Sequence, residues 1–143
     1  MKKLVLVFYL FCQSCYMDFT SGAEILNNSE NSVNIKILYD KLVLDSLRKS
    51  SNSSRVSNFL FLENFAMYAG KSYTIDTLSF SISYILKQNK KLSFTHNPGF
   101  KPDLSIIKTI EIKNKNKTII LNRANFSSDF MEIEKGLWVY EIK

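Results

Sequence analysis

The chain has 143 residues, with 19 Lys and Arg against 13 Asp and Glu for a formal net charge of +6, and it carries eleven Phe, seven Tyr and one Trp. So many aromatics exclude an unstructured polar chain, and the length admits one domain with a real core. Both cysteines, Cys12 and Cys15, fall within the first fifteen residues, so the rest of the chain has no internal disulfide and no cysteine-based metal site, which excludes small stapled toxins and hormones.

Met1-Lys2-Lys3 is a positive start, followed by eight apolar residues, Leu4 to Phe11. As a helix, eight residues rise about 12 Å, against roughly 30 Å of bilayer hydrocarbon. The pattern therefore predicts a signal peptide over residues 1–15 and not a permanent span. The alternative is that Leu4–Phe11 is simply a core strand.

The end of this leader, Cys12-Gln13-Ser14-Cys15, resembles the lipobox of bacterial lipoproteins, in the relaxed form associated with AT-rich bacteria such as spirochaetes. Ser14 supplies the small residue before the cysteine, while Cys12 stands where the family normally has Leu. The resemblance implies cleavage before Cys15, acylation of Cys15 with fatty acids such as palmitate, and a membrane anchor. A rival cleavage lies after Ser21-Gly22-Ala23, where small residues occupy the positions that signal peptidase reads. That cut releases a secreted soluble domain beginning at Glu24.

After removal of residues 1–15 the remaining 128 residues carry 17 basic and 13 acidic side chains. The mild basic excess of an exported chain points to anionic lipid or an acidic polymer before nucleic acid, and AT-rich codon usage accounts for lysine excess without any partner. Residues 16–31 are rich in Ser, Asn and Thr without sustained periodicity. They are expected as a flexible tether, leaving 32–143 as a single β-rich domain.

From Val33 the pattern alternates, with Val33, Ile35, Ile37 and Tyr39 on one face of a strand. Leu42–Leu47 fits either a strand or a helix. Residues 49–58, rich in Ser and Asn, predict a surface loop. Residues 59–69 favour a short helix, with Phe61, Leu62, Phe65, Tyr68 and Ala69 on one face and Gly70 as its stop.

Leu78, Phe80, Ile82, Tyr84 and Leu86 alternate with mostly polar residues. With Leu92 and Phe94 they predict a hairpin around Lys87–Lys91 in which Leu86 meets Leu92. A second hairpin is expected around Lys115-Asn116, setting Ile112 against Ile119 and Ile110 against Leu121. A third turns through Glu134-Lys135-Gly136, with Gly136 in the left-handed conformation, Ile133 opposite Leu137 and Met131 opposite Val139. Trp138 and Tyr140 then share the reverse face with Glu132 and Glu134. Three successive hairpins predict a mainly β chain, a small antiparallel β sandwich or open barrel with one short helix, and α+β as the alternative.

The sole histidine, His96, stands beside the Asn97-Pro98-Gly99 turn, and no Gly-x-Ser-x-Gly elbow accompanies it. Glu132 and Glu134, two apart on a strand, share a face about 7 Å apart, a spacing that chance supplies often. The four glycines are isolated, so a phosphate-cradling loop is not expected. No cofactor or metal is expected, and no enzyme. Lys87, Lys90 and Lys91 at one turn and Lys113, Lys115 and Lys117 at another would form a basic rim if both turns lie at the same end of the sheet. Turn lysines also serve solubility and keep strand edges unpaired. Four Asn-x-Ser/Thr sequons occur, at Asn27, Asn52, Asn116 and Asn125.

Three functions remain open at this level. The first is a lipid-anchored, non-catalytic envelope or surface lipoprotein whose β domain binds a protein, polymer or anionic lipid partner. The second is a secreted soluble binding protein, glycosylated in one version. The third is a small exported hydrolase using His96 with an acidic residue.

Overall fold

In the computed structural model, which describes residues 20–50, 57–68, 73–115 and 117–143, nine strands and three short helices follow one another. The strands are β1 (Thr20–Asn27), β2 (Val33–Tyr39), β3 (Tyr73–Asp76), β4 (Ser81–Leu86), β5 (Lys90–Pro98), β6 (Ile107–Asn114), β7 (Lys117–Asn122), β8 (Met131–Glu134) and β9 (Leu137–Ile142). Helices α1 (Lys41–Ser50) and α2 (Asn58–Tyr68) lie between β2 and β3, and a 3-10 turn with α3 (Phe126–Asp129) links β7 to β8. The expected leader, Cys15, Asn52 and Asn116 lie outside the described residues.

The strands form two sheets in the orders β5-β1-β9-β8 and β3-β4-β2-β6-β7. The second sheet is antiparallel throughout, while the first contains one parallel pair, β1 beside β9. The mainly β expectation holds, and neither sheet closes into a barrel. Ala23, Ile25, Leu92 and Phe94 of the first sheet share one buried cluster with Ile35, Ile37, Ile82, Tyr84 and Ile110 of the second. Two apolar sheet faces removed from water against each other supply the main stabilisation.

Local chemistry explains the helix starts. Asp40 caps α1, its Oδ1 accepting the Leu42 amide at 3.0 Å, and Ser57 caps α2 by accepting the Leu60 amide at 3.3 Å. Leu44, Leu62 and Ala66 are fully buried beneath the two helices. Between the sheets on the other side, Phe126 and Phe130 plug the core and Phe130 meets Phe94 edge-on at 5.9 Å.

Several expectations need correction. The tether expected over residues 16–31 is strand from Thr20 to Asn27, and this strand is interior to its sheet, paired with β5 on one side and β9 on the other. Its inward residues are Ser21, Ala23, Ile25 and Asn27, so two polar side chains interrupt the apolar alternation and conceal the period. The expected hairpin between residues 78–86 and 92–94 does not form: β4 pairs with β2 and β3, whereas β5 pairs with β1 in the other sheet. The intervening residues, with Asn89 at φ 55°, carry the chain from one sheet to the other. Leu78 to Phe80 is turn rather than strand, with Phe80 at φ 52°.

The β6–β7 hairpin has the expected register, Ile112 against Ile119 and Ile110 against Leu121. In the β8–β9 hairpin Met131 faces Val139 as expected, but Glu134 and not Ile133 faces Leu137, because the register shifts between Glu132 and Glu134. Ile133 is left as a bulge residue. Trp138 and Tyr140 pack against the core, and of the two glutamates only Glu132, opposite Trp138, shares their face. The shift also places Glu132 opposite Trp138 and Glu134 opposite Leu137, so the two carboxylates do not share a face.

Candidate functional site

Strand register defines two ends of the sandwich. At one, Asn27 pairs with Lys90 and Ile142, Val33 pairs with Leu86, and Asn34 pairs with Lys113. β2 therefore stands between the Lys87 turn and the β6–β7 tip, with neighbouring strands about 4.8 Å apart. Both lysine clusters fall at this same end, joined there by Lys143 after β9. Lys91 is committed to Glu24 at 3.1 Å, and Lys113 approaches Glu111 at 3.9 Å. Lys87, Lys90, Lys115 and Lys117 are exposed.

At the opposite end Thr20 pairs with Pro98, and the Gly136 turn closes over it. Gly136 has φ 82°, and a Cβ there would lie 2.6 Å from the Thr20 carbonyl oxygen. The Gly22 amide donates to the Gly136 carbonyl at 2.8 Å. This end also carries the β3–β4 turn, the start of α1 and the loop from Gly99 to Ile106.

A groove of about 360 Å³ runs over the outer surface of the first sheet beside this end, lined by Gly22, Glu24, Ser93 and His96 among others. Glu24 is mostly covered, and its Oε1 accepts both the Ser93 hydroxyl at 2.6 Å and the Lys91 ammonium. The Ser93 hydroxyl thus donates to a carboxylate and not to His96. His96 is exposed and forms no hydrogen bond through its side chain among the described residues. Glu132, the other carboxylate noted in the sequence, accepts the Gly136 amide at 2.9 Å and thereby closes the β8–β9 turn. Among the described residues no three His, Cys, Asp or Glu side chains gather as a metal site would require, and no helix is long and apolar enough to cross a membrane.

The sequons separate by burial. Asn27 is fully buried, donating from Nδ2 to the carbonyls of Asn31 and Leu86 and accepting from the amide and hydroxyl of Ser29. A glycan there is incompatible with the folded chain. Asn125 is exposed at the start of α3.

The sequence pattern puts Leu78 on the apolar face of a strand and leaves Leu42 in a strand or a helix, yet these are the most exposed large apolar side chains described. Leu78 is 94 % exposed and Leu42 81 % exposed, and neither has a neighbouring pattern that marks it as a surface residue. Both lie at the Thr20 end. The one signal available was Asp76 three residues before Ser79, an Asx-type turn motif, since Asp76 accepts the Leu78 and Ser79 amides and the Ser79 hydroxyl. The same bonds hold the Asp76 carboxyl below its ordinary pKa.

The fold and its surfaces define a two-sheet, mainly β domain with a lysine-bearing end and an end bearing exposed leucines. Compared with models of protein families, with curated proteins and with solved structures, the chain finds no match in any of the three.

Proposed function

We propose that the protein is a lipid-anchored envelope or surface lipoprotein whose β domain binds a protein or polymer partner without catalysis. The observation that carries this reading is the place where β1 begins. Cleavage before Cys15 leaves all of β1, whereas cleavage after Ala23 removes Thr20 to Ala23, which pair with Thr95–Pro98 on one side and, at Gly22 and Ala23, with Leu137 and Trp138 on the other. The backbone groups of those partners would lose their bonds in the middle of a sheet, a cost of several kcal/mol in aggregate at roughly 1 kcal/mol each. Burial of Asn27 likewise weakens the glycosylated secreted reading.

The basic rim of Lys87, Lys90, Lys115 and Lys117, with Lys91 and Lys113 engaged beside it, is the surface proposed for the partner, and an anionic polymer or an acidic protein face fits its charge. It lies at the end of the domain away from Thr20, and so away from an anchor at Cys15.

The intact mass of the protein extracted from membranes of its source cells tests the anchor. The expected mass begins at Cys15 and includes acyl chains, and radiolabelled palmitate enters the wild type but not Cys15→Ala. A mature chain beginning at Glu24, or a chain without lipid while a known lipoprotein of the same cells is labelled, overturns the proposal.

A further inference from the structure

Exposed apolar and basic side chains meet at the end of the sandwich where β1 begins. Its two leucines are the most exposed large apolar residues described, and Phe100 is 59 % exposed. Hydrogen bonds and ammonium–ring contacts join them into one continuous end. The Tyr39 amide donates to the Phe80 carbonyl, tying the Leu78 turn to the start of α1, and the Lys41 ammonium stands 5.4 Å over the Phe80 ring. The Asp40 amide donates to the Ile106 carbonyl, which brings in the loop carrying Phe100 and Lys101. Lys101 lies over Trp138 and Lys135 over Phe100, and the Lys135-Gly136 turn touches Thr20.

Basic and acidic groups are mixed at this end. Lys41, Lys101 and Lys135 are exposed. Asp40 is paired with Arg123, whereas Asp76 and Asp103, hydrogen-bonded within their own turns, and the exposed Glu134 keep their negative charges beside the lysines.

Chain length supplies the occupant. Thr20 is five residues beyond Cys15, and five residues span at most about 17 Å when fully extended. An acyl anchor at Cys15 therefore holds this end within that distance of the bilayer. We propose that this end lies against the bilayer surface, with Leu42, Leu78 and Phe100 in the interfacial zone and Lys41, Lys101 and Lys135 at the level of the lipid phosphates. The inference rests on the anchored reading above. Exposed apolar side chains beside lysines suit the boundary between headgroups and acyl chains, where the apolar parts leave water and the ammonium groups keep theirs. The Asp76-capped turn presents Leu78 in a fixed conformation, so little ordering opposes its insertion.

The test uses the lipidated protein reconstituted into phosphatidylcholine vesicles, acetylated briefly with an amine-reactive ester and mapped by mass spectrometry. Lys87, Lys90, Lys115 and Lys117 at the far end serve as internal references. The expected result is a several-fold slower acetylation of Lys41, Lys101 and Lys135 than of the references. Equal acetylation at both ends, or protection of the far-end lysines in their place, overturns the proposal while leaving the anchor intact. A protein that lacks lipid at Cys15 and washes off the vesicles overturns the anchored reading, and this inference with it.

Discussion

The Asn27 side chain donates to the Leu86 carbonyl at 3.1 Å and so bonds the end of β1 in one sheet to the end of β4 in the other. The same Nδ2 reaches the Asn31 carbonyl at 2.8 Å, and Oδ1 accepts the Ser29 hydroxyl at 2.6 Å. Asn27→Ala would leave these buried groups unpaired, and its expected cost is about 2–4 kcal/mol of unfolding free energy. Urea denaturation checks this; an unchanged midpoint would show that the bonds contribute nothing net.

Gly136→Ala is expected to cost about 2–3 kcal/mol, combining left-handed backbone strain with the approach to the Thr20 carbonyl. Gly99 has φ 118° but open space around its Cβ position. Gly99→Ala therefore isolates the backbone component, and its midpoint in the same denaturant series should fall less.

Tyr84 is 2 % exposed, and its buried hydroxyl has no hydrogen-bond partner among the described residues. Tyr84→Phe removes a desolvated polar group at almost constant volume and is expected to stabilise by about 1 kcal/mol. Burial also pushes the Tyr84 hydroxyl far above its ordinary pKa, with Tyr73 contributing. A raised folded pKa means that the wild type loses stability as pH rises above the unfolded tyrosine value of about 10, because the unfolded chain releases a proton there that the folded chain retains. Alkaline unfolding followed by circular dichroism should therefore begin at higher pH in Tyr84→Phe.

Asp40 accepts an Arg123 hydrogen bond at 2.9 Å and caps α1, and the Arg123 bond is the main reason that its pKa is lowered. A depressed carboxyl contributes stability above the unfolded value of about 4, and that contribution is lost as pH falls through the folded value. Asp40→Asn keeps a capping side chain but not the charge. The stability gap between wild type and Asp40→Asn, measured by thermal melts, should be constant above about pH 5 and close below pH 4; a gap independent of pH would show that the ion pair is not its source.

A chain beginning at Tyr16 should give a cooperative thermal transition, and a chain beginning at Glu24 should not, because the second loses half of β1. Equal melting of the two would remove the main support for cleavage before Cys15.

Local pattern was sufficient where neighbours in sequence are neighbours in space. The register of β6 and β7 was legible because a short turn links them and Ile110, Ile112, Ile119 and Leu121 coincide in only one alignment. The buried face of β2 and the approximate extent of α2 were legible for similar reasons, strict alternation in one case and a helical apolar face in the other. The rim lysines were visible as residues, but their meeting at one end depends on β2 lying between β4 and β6, two non-local pairings.

By itself the sequence determined that the chain is mainly β, which residues of β2, β4 and β5 are apolar on one side, and that the leader has the form of an export signal. Only the tertiary structure decided that β4 and β5 belong to different sheets. A hairpin and a crossing between sheets bury the same alternate residues, in one case side by side and in the other face to face across the core, so periodicity does not distinguish them. The same limit hid β1. Ser21 and Asn27 point inward where apolar residues are expected, and they are accommodated because partners from remote parts of the chain, Asn97 and Leu86, accept their hydrogen bonds. A polar residue is readable as interior only once the group that satisfies it is in place.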